Sequence, residues 1–298
     1  MITQGVVDGQ LINRTTGLPS PIVAPLEDTI VYLNAALELD TIVTKSGFSI
    51  GYSAGYASKV LAQLPTGYWE CNEPNPSDSS SQPLVDYSTN ALHGTINDTT
   101  NIGWAFAGAG GRGVSHRYGD NVVFFEYVDF EATSEFTFIC NVGQFTEAAL
   151  FTGGDTSVRL AQHGTNGWSG VYYSWLLQLE SKGANTCQVR MKVSDGVSEY
   201  ELVHSADLVD NVKQFITCSF ESGEMKVSVN GVIETASILG TSLLSNAHTG
   251  RLYVGQDPRT GFTPVDSTLK NLSYSDYGFF PRVLADDVIG ILHAASNF

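Results

Sequence analysis

The 298-residue chain carries 15 Lys and Arg against 31 Asp and Glu, which gives a formal net charge of −16. No basic stripe is available to meet phosphates, so the charge argues against a nucleic-acid-binding protein and against contact with anionic membranes. The N-terminus has no basic region followed by an apolar run, and no segment approaches the roughly 18 uncharged apolar residues of a membrane span. We therefore expect neither a signal peptide nor a membrane span.

Residues 1–67 are predicted to form an extended or helical N-terminal arm that serves assembly or anchoring. Three prolines between positions 19 and 25 mark an extended lead-in, and the next segment repeats apolar residues at a/d-like spacing. This seam consists of Leu26, Ile30, Leu33 and Leu37. A short helix packed on its own domain and a strand over "TIVYL" are the alternatives. If the seam associates, a trimer is the simplest oligomer.

From Trp69 onward, short alternating runs bounded by Gly, Asn, Asp and Ser predict antiparallel strands. Asn230-Gly231 supplies the positive-φ pair of a tight hairpin. Only the end is predicted helical, with Val288, Ile291 and Leu292 on one face. Residues 68–298 are thus predicted to form one all-β sandwich. Its predicted core includes Phe138, Cys140, Cys218, Phe220, Val227 and Val229.

Four cysteines lie far apart, without a C-x-x-C pair, so a zinc site is not expected. Each shares the apolar parity of its strand, which predicts buried free thiols rather than disulfides. They are Cys71, Cys140, Cys187 and Cys218. Buried free thiols are typical of a protein made in a reducing cytoplasm.

The stretch "LVDYSTNALHGTI" gathers Asp86, Ser88, Asn90 and His93 within eight residues. Such a cluster could be a metal site, a catalytic site or a tight turn. Asp and Ser side chains bond nearby backbone amides and Asn tolerates a left-handed conformation, so a turn between strands accounts for the cluster.

The ordered set of motifs resembles the laminin G-like, concanavalin A-like lectin/glucanase sandwich, over residues 68–298. Trp69 and the turn above match the opening of that family, with Thr89 in place of its usual Gly; "EYVDF", "EFTFIC", "MKVSVNGV", "RLYVGQD" and "YGFFPRVLADDVIGIL" follow in the family's order. The resemblance implies an antiparallel two-sheet jelly roll. In some relatives the turn Asp helps hold Ca²⁺, which here would make Asp86 and Asn90 ligands; no other cofactor is expected.

Glucanases of this fold place paired carboxylates on one strand as E-x-D-x-E. The nearest stretch here spaces Glu126 and Asp129 by three residues, so they point to opposite faces of a regular strand. Neither an H-E-x-x-H nor a P-loop motif is present, and we predict no enzymatic activity.

Lectins of this fold bind sugars through loop aromatics together with Asn and Asp. The loop "QHGTNGWSGVYYSW" offers such groups for a glycan or for a protein partner. The candidates are His163, Asn166, Trp168, Tyr172 and Tyr173.

Three functions are compatible with these features: a virion structural protein, a carbohydrate-binding adhesin and a glycan-cleaving enzyme. A surface lectin from a cell should carry an export signal, whereas a phage protein is released by lysis. We therefore expect a phage structural protein, as capsid decoration or as a tail or fibre component, that is made in the host cytoplasm. Its expected partners are other virion proteins, further copies of the chain and a host surface glycan.

Overall fold

The computed structural model describes residues 56–70, 85–96, 135–143, 157–164, 173–183, 186–195, 197–210, 212–221, 223–238, 252–254 and 272–296, together with strands at 6–7, 10–11, 29–33, 39–44, 49–51, 102–106, 112–116 and 123–125. By their contacts the residues divide into two compact units, Met1–Lys59 and Val60–Phe298.

The helices within these residues are α1 Tyr56–Leu61 and α2 Asp286–Ser296. The strands are β1 Val6–Val7, β2 Gln10–Leu11, β3 Thr29–Leu33, β4 Leu39–Thr44, β5 Ser49–Gly51, β6 Gly67–Trp69, β7 Thr95–Ile96, β8 Ile102–Phe106, β9 Arg112–His116, β10 Val123–Phe125, β11 Phe136–Gly143, β12 Ser157–Gly164, β13 Tyr173–Gly183, β14 Thr186–Ser194, β15 Glu199–Val203, β16 Leu208–Val209, β17 Gln214–Glu221, β18 Glu224–Val229, β19 Val232–Ser237, β20 Leu252–Val254 and β21 Leu272–Phe280.

The N-terminal unit contains a β1-β2 pair and a three-stranded antiparallel sheet, β3-β4-β5. The helical interpretation of the seam is therefore wrong over Thr29–Leu33, which form β3 as the alternative had it. The β-branched residues of "TIVYL" favour a strand, and residues three apart in a strand lie on opposite faces, so Ile30 and Leu33 do not share a helical seam. Leu26 and Leu37 lie outside the described residues.

The second unit contains two eight-stranded sheets. The first runs β15-β14-β13-β12-β20-β10-β7, with β16 beside β14; the second runs β19-β18-β17-β11-β21-β9-β8, with β6 beside β21. Every one of these pairings is antiparallel. The predicted all-β, antiparallel two-sheet sandwich is confirmed.

The core lies between the two sheets. Phe136 of the second sheet stacks on Trp175 of the first, with ring centroids 4.8 Å apart. The predicted alternation holds. The inward residues of β14, β17 and β18 are buried, and most of the outward residues of β14 are only partly buried. All six predicted core residues are buried and belong to one cluster: Phe138, Cys140, Cys218, Phe220, Val227 and Val229.

The predicted β18–β19 hairpin is also confirmed. Asn230 and Gly231 have φ values of 52° and 79°, the left-handed pair that a two-residue turn requires. The Asn230 side chain fixes the hairpin to the next strand by accepting a hydrogen bond from the N–H of Phe215 at 2.9 Å.

Helix α2 covers the outward side of the second sheet. His293 stacks on Phe215, with ring centroids 5.9 Å apart, and the N–H of Leu284 donates to the Thr137 hydroxyl at 2.9 Å. A second apolar layer results, and burial of each large aliphatic side chain in it stabilises the fold by about 1.5–3 kcal/mol. Within the described residues, neither helix has the length and apolarity to cross a bilayer.

The predicted face of this helix is partly wrong. The buried side chains are Ile289, Leu292 and Ala295, whereas Ile291 is 51% exposed. Apolar residues occupy four of the five positions from 288 to 292, so periodicity alone does not select the face, and packing on the sheet selects it.

A β-bulge interrupts β21. Ile139 pairs with Gly278 but Asn141 pairs with Ser275, so Asp276 and Tyr277 together oppose a single residue of β11. Asp276 has a φ of 59°, which a residue with a Cβ adopts only at a cost. The bulge turns the Asp276 carboxylate toward Asn141, whose side-chain amide donates to it at 3.0 Å.

Candidate functional site

The turn at residues 85–94 is organised around the Asp86 carboxylate, which is almost wholly buried. Its Oδ1 accepts the N–H groups of Tyr68 and Ser88, each at 2.8 Å. Its Oδ2 accepts the N–H of Leu92 at 2.6 Å and the Ser88 hydroxyl at 2.7 Å. Four donors from the chain thus saturate this carboxylate, which ties the turn to β6, as the structural interpretation of the cluster requires.

The neighbouring polar side chains complete the same turn. The N–H of Asp86 donates to His93 Nδ1 at 3.2 Å, so this nitrogen is an acceptor within the turn. Asn90 Nδ2 donates to the Thr66 carbonyl at 2.8 Å.

Calcium at Asp86 and Asn90 would have to displace these donors from the carboxylate. The part of the chain that the structure describes contains no group of three or more His, Cys, Asp or Glu that could hold a metal. The calcium ligation that the family resemblance implies for Asp86 and Asn90 stays untested, and the saturated carboxylate argues against it.

Of the five loop candidates, the structure describes two. His163 is buried, contacts the Ser174 hydroxyl through Nδ1, and stacks on Trp175 with centroids 6.5 Å apart. Tyr173 is also buried, and its hydroxyl donates to Glu199. Asn166, Trp168 and Tyr172 lie outside the described residues, so the loop as a binding surface stays a prediction.

The structure places a different set of polar groups together, on the outward side of the first sheet. Along β14 the residues at 187, 189, 191 and 193 are buried in the core, so the alternate residues face outward, as do their partners on β13 and β15. We call this set the charged face: Gln178, Glu180, Gln188, Arg190, Lys192, Glu199 and Glu201.

Ion pairs cross the charged face from strand to strand. Arg190 contacts Glu180 at 2.6 Å and Glu201 at 2.8 Å, and Lys192 contacts Glu199 at 2.7 Å. These five side chains are between 16% and 51% exposed. Partly exposed pairs of this kind contribute little to stability, about 0–1 kcal/mol each.

Two interacting groups at this face have shifted pKa values. Burial raises the pKa of the Glu199 carboxyl, but hydrogen bonds from Lys192 and Tyr173 outweigh burial and hold that pKa below its usual range. Burial, followed by the hydrogen bond to Glu199, raises the pKa of Tyr173. At neutral pH Glu199 is therefore a carboxylate, which accepts hydrogen bonds from Lys192 and from the buried Tyr173 hydroxyl.

This chemistry suits ligand binding better than proton transfer. The general acid of a glycosidase needs a raised pKa, which Glu199 lacks. Among the described carboxyl groups, burial raises the pKa of Asp276, but that residue lies on the second sheet. Glu126 and Asp129 lie outside the described residues.

Sequence analysis did not single out the charged face. The signal was present, because "CQVRMK" and "EYELV" alternate charged with apolar residues. That alternation was interpreted only as evidence for core residues. The pairing of Arg190 with Glu180 and Glu201 also depends on the cross-strand register, and the sequence did not determine the turns that set it.

No protein-family model and no curated protein sequence matches the chain. Solved structures share its fold. The botulinum neurotoxin serotype D ligand-binding domain in complex with N-acetylneuraminic acid is 12% identical, with a TM-score of 0.55 over 80% of this chain and 52% of that one. The binding domain of Paraclostridial mosquitocidal protein 1 is 12% identical, with a TM-score of 0.55 over 80% and 53%.

A Trypanosoma rangeli sialidase is 14% identical, with a TM-score of 0.54 over 79% of this chain and 33% of that one. The chain thus spans about half the length of the toxin binding domains and a third of the sialidase. At these identities the likeness is one of fold: a β-sandwich shared with domains described as binding domains.

Proposed function

We propose that the chain is a non-enzymatic, lectin-like binding protein whose ligand is a glycan bound on the charged face. The observation that carries the proposal is the row of ion pairs that Arg190 and Lys192 form with their carboxylate partners, which remain partly exposed on the outward side of the first sheet. Guanidinium and carboxylate groups held in fixed planes are donors and acceptors for sugar hydroxyls. A sandwich of this fold in complex with N-acetylneuraminic acid supports the same class of ligand.

Binding of the full-length chain to immobilised sialylated and neutral glycans tests this proposal. Arg190→Ala removes a donor that bridges two carboxylates, and we expect it to weaken binding roughly tenfold or more, as for the loss of a charge-assisted hydrogen bond of about 1.5–3 kcal/mol.

Lys226→Ala is the matched control, because Lys226 forms a comparable ion pair, 3.1 Å from Glu224, on the second sheet. Equal binding by both variants and the unmodified chain would contradict a ligand site on the charged face. Release of sialic acid or sugar from the same glycans would contradict a non-enzymatic protein.

The second element of the proposal is display on a virion, as capsid decoration or as a tail or fibre component. The separate compact unit at residues 1–59 supports it, since such a unit suits attachment to other virion proteins or to further copies of the chain. The buried free thiols Cys140, Cys187 and Cys218 suit assembly in a reducing compartment.

Sedimentation of the full-length chain beside residues 60–298 tests the attachment role. We expect a defined oligomer, most simply a trimer, for the full chain and a folded monomer for the fragment, which has its own core. A monomeric full-length chain would leave the glycan-binding adhesin as the better proposal.

A further inference from the structure

A polar cluster, part of it fully buried, lies on the outward side of the second sheet, beneath α2. Three neighbouring strands supply it: Lys213 precedes β17, Asn141 lies on β11, and Ser275 and Asp276 lie on β21. Because β11 pairs with both β17 and β21, Asn141 sits between the lysine and the carboxylate.

Asn141 is fully buried, and its two amide atoms differ sharply in their surroundings. Nδ2 donates to Asp276 Oδ2 at 3.0 Å, whereas the buried Oδ1 has no hydrogen-bond partner. A buried carbonyl oxygen without a partner costs about 1–3 kcal/mol of stability. Such groups are rare in folded proteins, so this one requires an explanation.

Ser275 is the residue directly opposite Asn141 in the β11–β21 register, and its buried hydroxyl interacts with the Asp276 carboxyl. A hydroxyl donor of the cluster thus lies on the strand opposite the unpaired carbonyl oxygen of Asn141. Such a donor is what a developing oxyanion at Asn141 would need.

Lys213 completes the set. Asn141 pairs with Phe215, and Lys213 directly precedes the first residue of β17, so continuing the strand alternation by one residue places Lys213 diagonally across from Asn141 on the same face. Diagonal neighbours lie about 7–8 Å apart, within reach of a long side chain. Lys213 Nζ now donates to the Ser296 carbonyl of α2 at 2.6 Å, which keeps the side chain on this covered face.

We propose that Lys213 and Asn141 join in an intramolecular isopeptide bond, with Asp276 as the proton-transfer group. Lys213 Nζ attacks Asn141 Cγ, so that the Nζ–Cγ bond forms and the Cγ–Nδ2 bond breaks. The proton lost by Nζ passes through the Asp276 carboxyl to Nδ2, which leaves as ammonia. No oxidant, reductant or cofactor is consumed.

The electrostatics of the cluster favour the reactive forms. Burial lowers the pKa of Lys213, which raises the fraction of neutral, nucleophilic amine. Burial raises the pKa of Asp276, which favours the carboxylic acid able to protonate the leaving nitrogen. Tyr68 donates to the other oxygen of this carboxyl at 3.1 Å and holds it in place. The attack requires Nζ to turn from Ser296 to Asn141 about the lysine torsions.

Intact-mass measurement of the purified full-length chain tests the proposal. We expect a mass lower than that of the sequence by one ammonia molecule, and a proteolytic peptide pair cross-linked through Lys213 and Asn141. A chain at its full sequence mass would overturn the proposal, as would an ammonia loss that maps to Asn141 without Lys213.

Single-residue variants distinguish the proposed cross-link from other reactions that lower the mass of the chain. Lys213→Arg and Asp276→Asn should restore the full mass, and Asn is suited to the left-handed φ at position 276. Asn141→Asp should lose one water molecule instead of ammonia, which gives a positive signal in a variant of nearly the same shape. Lys226→Arg, on the adjacent strand β18, is the control and should retain the ammonia loss. Retention of that loss in Lys213→Arg would overturn the proposal.

Discussion

Replacement of Asp86 by alanine is the most direct test of what holds the 85–94 turn to the sandwich. The substitution removes both oxygens that accept the N–H groups of Tyr68, Ser88 and Leu92 and the Ser88 hydroxyl. Tyr68 is fully buried, so its N–H would lose its partner without gaining water. Each buried donor left unpaired costs about 1–3 kcal/mol.

If two of these donors are left without a partner and out of full reach of water, we expect the unfolding free energy to fall by about 3–4 kcal/mol. In a unit of this size, each kcal/mol corresponds to roughly 2–4 °C in Tm. Asp207→Ala is the matched control: Asp207 is exposed and contacts only an exposed lysine, Lys182, in a surface ion pair, so its removal should cost about 0–1 kcal/mol. Urea unfolding of the full-length chain, followed by fluorescence, measures both variants.

A loss below about 1 kcal/mol for Asp86→Ala would refute the reasoning, because charge-assisted bonds to buried donors cannot be that weak. The same experiment separates the turn from a calcium site. If Asp86 acted mainly as a calcium ligand, chelation would lower the Tm of the unmodified chain to that of the variant and added calcium would restore it. We expect chelation to leave the Tm unchanged.

Three further predictions concern single groups. Burial raises the pKa of Cys140 and Cys218, so their thiols, with that of the buried Cys187, should resist a thiol-specific dye until denaturant unfolds the chain; fast native-state labelling of these positions would contradict their burial. Gly231→Ala should lower the free energy of unfolding by about 1 kcal/mol or more, since φ is 79° and the new Cβ would lie 2.9 Å from His293 Nδ1. The control is Gly290→Ala, where a Cβ meets no neighbour, and the unfolding midpoints of the two variants measure the difference. Burial lowers the pKa of His293 in the folded chain, so as the pH drops the imidazole is protonated in the unfolded chain first. The free energy of unfolding should therefore fall as the pH drops from about 6.5 toward the lowered pKa of the folded chain. Parallel curves of unfolding free energy against pH for the unmodified chain and His293→Gln would exclude this.

Local patterns predicted the sandwich, because the information for each strand lies within a few residues. Met225, Val227 and Val229 show their inward face by simple alternation, and Asn230-Gly231 specifies a turn that almost no other pair forms as readily. The order of the motifs then fixed the class of fold.

What sequence could not predict depends on contacts between distant segments. The strand at Thr29–Leu33 carries a pattern compatible with both a helix and a strand, so pairing with β4 decides its structure. The face of α2 is set by the sheet beneath it. The ion pairs of Arg190 depend on the register of three strands, which a one-residue slip would abolish.

The position of β21 within its sheet bears on how the protein acquires its structure. This strand pairs with β11, β9 and β6, so it occupies the middle of the sheet although it is the last strand in sequence. Its contacts join distant parts of the chain: the Tyr68 hydroxyl bonds Asp276 across 208 residues, and just beyond the strand the Arg282 carbonyl accepts from Thr137 across 145. During synthesis, the strands that flank β21 are made before it. Until β21 pairs with them, their edges are exposed and can pair with other chains. High contact order of this kind predicts slow folding that begins only once β21 has emerged, and a need for chaperone protection until then.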